Sequence, residues 1–152
     1  MAHKVFIDGE AGTTGLQIRE RLAGREDIAL VQVDPARRKD ADARRAALAE
    51  AEVAILCLPD AAAKEAVALA EGLDVRFIDA STAHRVDPAW VYGFAELTPE
   101  ARQTIAEAQY VSNPGCYSTG AIALAAPLVA AGLVAPDEIA SINAISGYTG
   151  GG

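Results

Sequence analysis

The sequence predicts an α/β domain built on a doubly wound, mostly parallel sheet. Three observations predict it. Short apolar, partly β-branched runs recur at Val5 to Ile7, Ile28 to Val33, Val53 to Leu58 and Val75 to Ile78; alanine-rich or charged stretches of helical character separate them; and the first run leads straight into a glycine-rich turn. Strands covered on both faces read as continuous apolar runs, as Val53-Ala54-Ile55-Leu56-Cys57-Leu58 does. Right-handed crossovers between such strands give a Rossmann-like sheet.

The first junction is Gly9-Glu10-Ala11-Gly12-Thr13-Thr14-Gly15. Glycines permit a tight turn and close backbone approach, and the free N–H groups and positive end of the following helix attract a pyrophosphate. Gly9, Gly12, Thr13, Thr14 and Gly15 are therefore cofactor-binding candidates. The pattern is G-x-x-G-x-x-G, with Glu10 where G-x-G-x-x-G has a glycine, and an ordinary strand-to-helix turn is the alternative reading.

The second strand is expected to end at Asp34, where an acid would hold the ribose 2′-hydroxyl of NAD. Arg37, Arg38 and Lys39 follow at once and suit the 2′-phosphate of NADP. We expect NADP, with Asp34, Arg37 and Arg38 at the cofactor, although a solvated basic turn fits the same residues. Asp40 to Glu52 reads as a helix with Arg44, Arg45 and Glu50 on solvated faces. Asp60 caps a helix over Ala61 to Glu71 that Gly72 ends, and Thr98-Pro99 opens another that runs through Ala108.

Between Ala80 and Leu97 neither period persists, so a long loop is expected. A short strand near Tyr110 to Ser112 then gives way to Asn113-Pro114-Gly115-Cys116 and an apolar helix to about Ala131, closed by Gly132. A further strand is expected over Glu138 to Ile145, opening onto Ser146-Gly147-Tyr148-Thr149-Gly150-Gly151-Gly152. A strand followed only by a glycine-rich loop wants neighbours and cover, so the chain reads as a fragment. Residues 1–115 are expected to form the nucleotide-binding domain, and 116–152 to begin a truncated α+β second domain.

Composition narrows the function classes. The chain has 152 residues, 51% hydrophobic and 22% charged, which is the balance of a packed globular domain and not of a disordered segment. A formal net charge of -8 argues against nucleic-acid and anionic-membrane partners, which require clustered cations. No apolar run is long enough to span a bilayer and the amino-terminal residues lead directly into a strand, so a cytoplasmic location is expected. There is no zinc-ligand spacing, and no metal is expected.

Cys116 follows a Pro-Gly turn and precedes a helix, a place where the helix dipole and free N–H groups favour thiolate and can stabilise an oxyanion. A small packed hydrophobe is the competing reading. Cys57, inside an apolar strand, reads as core. His84, beside Arg85 in the loop after the fourth strand, suits either anion binding or a structural role.

Asp8 to Gly15, Ile55-Leu56-Cys57-Leu58-Pro59-Asp60, Asp79-Ala80-Ser81-Thr82-Ala83-His84-Arg85, Trp90-Val91-Tyr92-Gly93-Phe94 and Asn113-Pro114-Gly115-Cys116 together resemble N-acetyl-gamma-glutamyl-phosphate reductase of the shorter-chain type. The likeness runs from about Lys4 to Gly152 and covers the first half of a family member. It implies an arginine-biosynthesis enzyme that uses NADPH on N-acetyl-glutamyl 5-phosphate, with Cys116 as nucleophile and a thioester intermediate. It also implies a cofactor set completed by Pro59, Ser81, Gly147 and Gly150, and a substrate set of Asn113, His84, Arg85 and Ser146. The family's general acid/base, a histidine of the second domain, would lie downstream of Gly152, and family members associate through that domain. Tyr117-Ser118 departs from the family's pattern after the cysteine, as Ala11 does in the glycine loop. Aspartate-semialdehyde dehydrogenase and a non-catalytic nucleotide-binding regulatory module are the alternatives; a cysteine hydrolase would leave the glycine loop unused.

Overall fold

The computed structural model describes residues 1–147. Six parallel strands form one sheet: β1 (His3–Asp8), β2 (Ile28–Val31), β3 (Val53–Leu56), β4 (Arg76–Asp79), β5 (Val91–Tyr92) and β6 (Tyr110–Ser112), in the spatial order β2-β1-β3-β4-β6-β5. The helices are α1 (Thr13–Leu22), α2 (Ala41–Glu50), α3 (Asp60–Leu69), α4 (Ala101–Glu107) and α5 (Cys116–Ala130). The chain leaves β1 for β2 on one side and returns to pair β3 on the other, with Val5 opposite both Leu30 and Val53. Where winding reverses in this way, the connections diverge and open a crevice at the carboxyl ends of the strands.

Small side chains let the layers close. Leu48 of α2, Ala54 and Leu56 of β3, and Ala63 and Ala66 of α3 are fully buried in one cluster. Ala63 and Ala66, followed by the C-cap Ala70, repeat at helical spacing and lay one face of α3 and its end against that cluster. Farther along the sheet, Phe77 stacks with Tyr110 at 6.0 Å between ring centroids and tilts against Trp90 at 6.5 Å. This aromatic group packs the loop after β4 against the sheet.

The predicted architecture agrees with these elements, with differences in particular segments. The expected strand over Glu138 to Ile145 is absent: residues 138–147 have no regular secondary structure, and Ile139, Ile142 and Ile145 are exposed. A β-branched run becomes a strand only where a ladder accepts it, and this one has no strand partner among the described residues. β2 stops at Val31, because β1 offers it register partners only from His3 to Phe6. The helix expected to open at Thr98-Pro99 begins at Ala101, after a turn closed by Ala101 N–H on the Thr98 carbonyl at 3.1 Å. Inside the long loop, Val91–Tyr92 forms β5, a two-residue edge strand on β6.

Arg44 corrects the sequence reading most. Placed there on a solvated face, it is 6% exposed and ion-paired, whereas its neighbour Arg45 is exposed and donates to the carbonyls of Leu69 and Glu71.

Candidate functional site

The glycine loop occupies the reversal point. Gly9 has φ of +89°, and a Cβ there would stand 2.2 Å from the Cys57 carbonyl oxygen. Gly15, buried in the first turn of α1, would place a Cβ 2.4 Å from the Gly9 carbonyl oxygen. Both positions therefore require glycine, the first for its backbone conformation and the second for close packing of helix on loop. Gly12 caps α1 and its N–H bonds the Gly9 carbonyl at 3.0 Å, while Thr13 and Thr14 open the helix. Gly9→Ala is expected to destabilise the fold by about 2–3 kcal/mol, from the positive φ and the backbone overlap, and to weaken dinucleotide binding at least about tenfold. Urea unfolding and a dinucleotide titration check both effects.

The loop borders a cleft of about 590 Å³ whose walls include Asp8, Gly9, Val33, Arg38, Lys39 and Cys57. Of the predicted basic pair, Arg38 faces this cleft and Arg37 does not; Arg37 is engaged by Asp40 at 2.9 Å. Asp34 likewise turns away from the cleft, its carboxylate accepting from Ala36 N–H at 2.9 Å to cap a short 3-10 turn. Lys39 takes its place beside Arg38. Pro59 forms the N-cap of α3 and the opposite wall.

In the cleft wall lies a charge network that the sequence reading missed, buried at Asp8 and Arg44 and exposed at Glu65. Arg44 donates from Nε and Nη2 to Asp8 Oδ2, at 3.1 and 2.9 Å, and from Nη1 to Glu65 at 2.8 Å. Burial raises the Asp8 carboxyl above its ordinary value, and the Arg44 hydrogen bonds offset part of that rise. The available signal was Asp8 itself, an acid closing an apolar strand that continues into the core, which demands a cationic partner.

Cys57 lies one residue beyond β3 and is half-buried in the cleft wall, so it is not sealed in the core as expected. Burial, with Asp8 and Asp79 nearby, pushes its thiol up to about 11. Its alkylation is therefore expected to be slow at pH 8 and to climb about tenfold per pH unit until near pH 11. A nicotinamide dinucleotide bound in the cleft should shield it. Peptide mapping after iodoacetamide treatment, with and without the nucleotide, reads both effects.

Cys116 is in the opposite setting. It is exposed, the first residue of α5, just beyond the carboxyl end of β6. The Gly115 carbonyl accepts from Thr119 N–H at 2.8 Å and Thr119 Oγ1 at 2.7 Å, which fixes the first turn. Tyr92 and Ser118 hydroxyls meet at 3.0 Å and tie β5 to that turn. Since β1 and β6 are three strand spacings apart in the sheet, the strand ends that lead into the glycine loop and toward Cys116 are roughly 14 Å apart along the same edge.

Arg85 spans the gap between the ends of β4 and β6. Its Nε donates to the Asn113 carbonyl at 3.1 Å and its Nη2 to the Ala80 carbonyl at 3.1 Å. Its Nη1 lies so close to Gly115 that a Cβ there would come within 2.6 Å. Asn113 is exposed, and its N–H donates to the Asp79 carbonyl at 2.7 Å. Ser81 and His84, by contrast, are buried on the Asp79 carboxylate: Ser81 Oγ at 2.7 Å and His84 Nδ1 at 2.6 Å. The His84 ring also stacks on Trp90, so its place is structural and it does not line the cleft. Ser146 and Gly147 are exposed in the irregular segment and meet neither group; Gly150 lies outside the described residues.

Comparison with known proteins agrees with this fold. The profile of the semialdehyde dehydrogenase NAD-binding domain matches residues 31–105. Along its whole length the chain is 60% identical to the N-acetyl-gamma-glutamyl-phosphate reductases of Brucella suis and Brucella ovis, covering 49% of each. It thus spans about half the length of the curated relatives it matches. Aspartate semialdehyde dehydrogenase II of Vibrio cholerae, in complex with ASA, superposes with a TM-score of 0.64 at 18% identity, over 86% of this chain and 47% of that one, a likeness of fold. Fold and matches together give a class by likeness: a Rossmann-like α/β domain similar to the NAD-binding domain of semialdehyde dehydrogenases. Within that class the resemblance to N-acetyl-gamma-glutamyl-phosphate reductase, drawn from the motifs, is shown across the whole chain.

Proposed function

We propose that the full-length protein reduces N-acetyl-glutamyl 5-phosphate to the 5-semialdehyde with NADPH, through Cys116, as a cytoplasmic step of arginine biosynthesis. The observation that carries this is the placement of Cys116: an exposed thiol at a helix N-terminus, on the same sheet edge as a glycine cradle. Residues 1–115 act as the nucleotide domain, and the segment from Cys116 onward begins the catalytic and dimerisation domain.

The residues present fit the dinucleotide. Gly9 and Gly15 leave a loop that a Cβ would fill, and Arg38 and Lys39 supply cations at the cleft where a 2′-phosphate needs them. NADPH, when bound, supplies the hydride that reduces the acyl carbon. Arg38→Ala with Lys39→Ala is expected to weaken NADP binding about 30-fold and to leave NAD binding within about twofold, as nucleotide fluorescence titration would show. Equal losses for both nucleotides would remove these residues from 2′-phosphate recognition.

The Cys116 thiolate forms a bond to the acyl carbon; the carbon–phosphate oxygen bond breaks and inorganic phosphate leaves, giving a thioester. N–H groups of the first turn of α5 face the oxyanion that develops during attack, and Arg85 beside Gly115 balances the charge of the phosphoryl group. After reduction, the thiohemiacetal on Cys116 loses its sulfur as thiolate and becomes the aldehyde. Neither histidine of the chain supplies the proton transfer: His3 pairs with Glu52 at the amino end of β1, and His84 is buried on Asp79.

The test runs the reaction backward in the full-length protein: phosphate-dependent NADP reduction with N-acetyl-glutamate semialdehyde, beside the same assay with aspartate semialdehyde. The acetylated aldehyde is expected to be preferred by at least about a hundredfold. A preference for aspartate semialdehyde, or no phosphate-dependent turnover with either, refutes the proposal.

A further inference from the structure

The Arg85 guanidinium touches two strand ends, through the Asn113 and Ala80 carbonyls, and the side chain next to it in sequence is held far more tightly. The Asp79 carboxylate, fully buried at the end of β4, accepts Ser81 N–H at 3.0 Å, Ser81 Oγ at 2.7 Å and His84 Nδ1 at 2.6 Å. The other face of the contact is aromatic: His84 stacks on Trp90 at 4.1 Å between centroids and 8° between planes, and Trp90 rests on Phe77 and Tyr110 in the core. From the outer side, Asp60 takes Thr82 N–H at 2.9 Å and Thr82 Oγ1 at 2.5 Å. The turn from Ser81 to His84 is therefore pinned from both sides, and Arg85 is the next residue out.

We infer that His84 is a positioning residue: its Nδ1–H bond to Asp79 and its stack on Trp90 set the turn that presents the Arg85 guanidinium to the first turn of the Cys116 helix. A loop arginine has many rotamers of similar energy, and two carbonyl contacts alone leave it free to swing. Anchoring the preceding residue in the core fixes the Cα position and direction from which the guanidinium departs. The buried histidine that the local sequence left open between ligand and structure thus acts on the anion site through its neighbour. The inference rests on the reading of Arg85 as the cation beside Cys116.

Paired alkylation of Cys116 in the full chain tests it, with iodoacetate as the anionic reagent and iodoacetamide as the neutral one, and peptide mass spectrometry to separate Cys116 from Cys57. The ratio of the two rate constants reports a cation near the sulfur and is insensitive to a general loosening that changes both rates alike. Arg85→Gln should lower the ratio about five-fold at low salt. His84→Phe keeps a ring for Trp90 but has no N–H for Asp79, and should lower it by a similar factor. His84→Asn places an amide N–H near the Nδ1 position and should restore at least half of the native ratio. Should His84→Phe fail to fold by circular dichroism, His84→Gln serves instead, because its N–H lies one bond farther out and cannot meet Asp79 without moving the turn. A native ratio in His84→Phe or His84→Gln, with Arg85→Gln lowered, overturns the positioning role while leaving the reading of Arg85 intact. A native ratio in Arg85→Gln overturns both, and a ratio in His84→Asn as low as in His84→Gln overturns the part played by the hydrogen bond.

Discussion

Serine in place of Cys116 is expected to lower phosphate-dependent turnover of the full-length protein by about 10⁴-fold or more, with NADP affinity unchanged within about twofold. The reason is chemical. Sulfur is the stronger nucleophile and the better leaving group from the thiohemiacetal, whereas a serine hydroxyl requires an adjacent base. Both histidines of this chain are occupied elsewhere, one on Glu52 and the other on Asp79. Cofactor affinity should persist because the cradle follows β1 and the cysteine follows β6, with two strands between them in the sheet. Steady-state rates with the acetylated semialdehyde and a nucleotide titration on the same preparation measure the two effects together. Turnover within about tenfold of the native rate would show that the sulfur forms no intermediate, and would remove Cys116 from the catalytic role.

What was legible in the sequence was whatever is specified locally. Continuous apolar runs separated by helical stretches identify a parallel sheet because both faces of each strand are covered, and Gly9, Gly12 and Gly15 announce a turn whose geometry excludes side chains. Cys116 was placed correctly at a helix start because Pro-Gly before an apolar run is itself a boundary signal. Long-range partners were not legible. Arg44 and Arg45 are adjacent and identical, yet one lies buried in the cleft wall and the other is exposed; only the position of α2 against β1 separates them. The run from Glu138 to Ile145 has the composition of a strand but no ladder among the described residues, and composition alone does not supply one. Asp79 to Ser81 carried a local signal, an acid two residues before a serine, which is a side-chain turn; that it also captures His84 depends on Trp90, whose position depends on the core.

Arg44→Met is the substitution expected to damage the fold most, by about 3–5 kcal/mol at pH 7. The wild-type pair is nearly excluded from water, with side-chain exposures of 8% for Arg44 and 5% for Asp8, so removing the guanidinium leaves a carboxylate with neither solvent nor counter-charge. The effect has a definite pH signature. Asp8 is already raised above its ordinary value by burial, against the pull of Arg44, so the unfolded chain ionises before the folded one as pH rises through the carboxylate range. Folding then opposes ionisation, and stability falls as pH climbs past the unfolded pKa until the folded pKa is passed. Without Arg44 the Asp8 carboxyl rises further and this window widens upward. The deficit of the variant should therefore be largest at neutral pH and should narrow as pH is lowered toward the carboxylate range, where Asp8 is protonated in both states. Adding Asp8→Asn removes the charge that the variant leaves stranded, and should recover about half of the loss at pH 7. Urea unfolding of the native chain, the single variant and the double variant at two pH values measures these quantities. A deficit below about 1 kcal/mol, or one that stays constant with pH, would mean that water from the cleft reaches Asp8 and takes the place of Arg44.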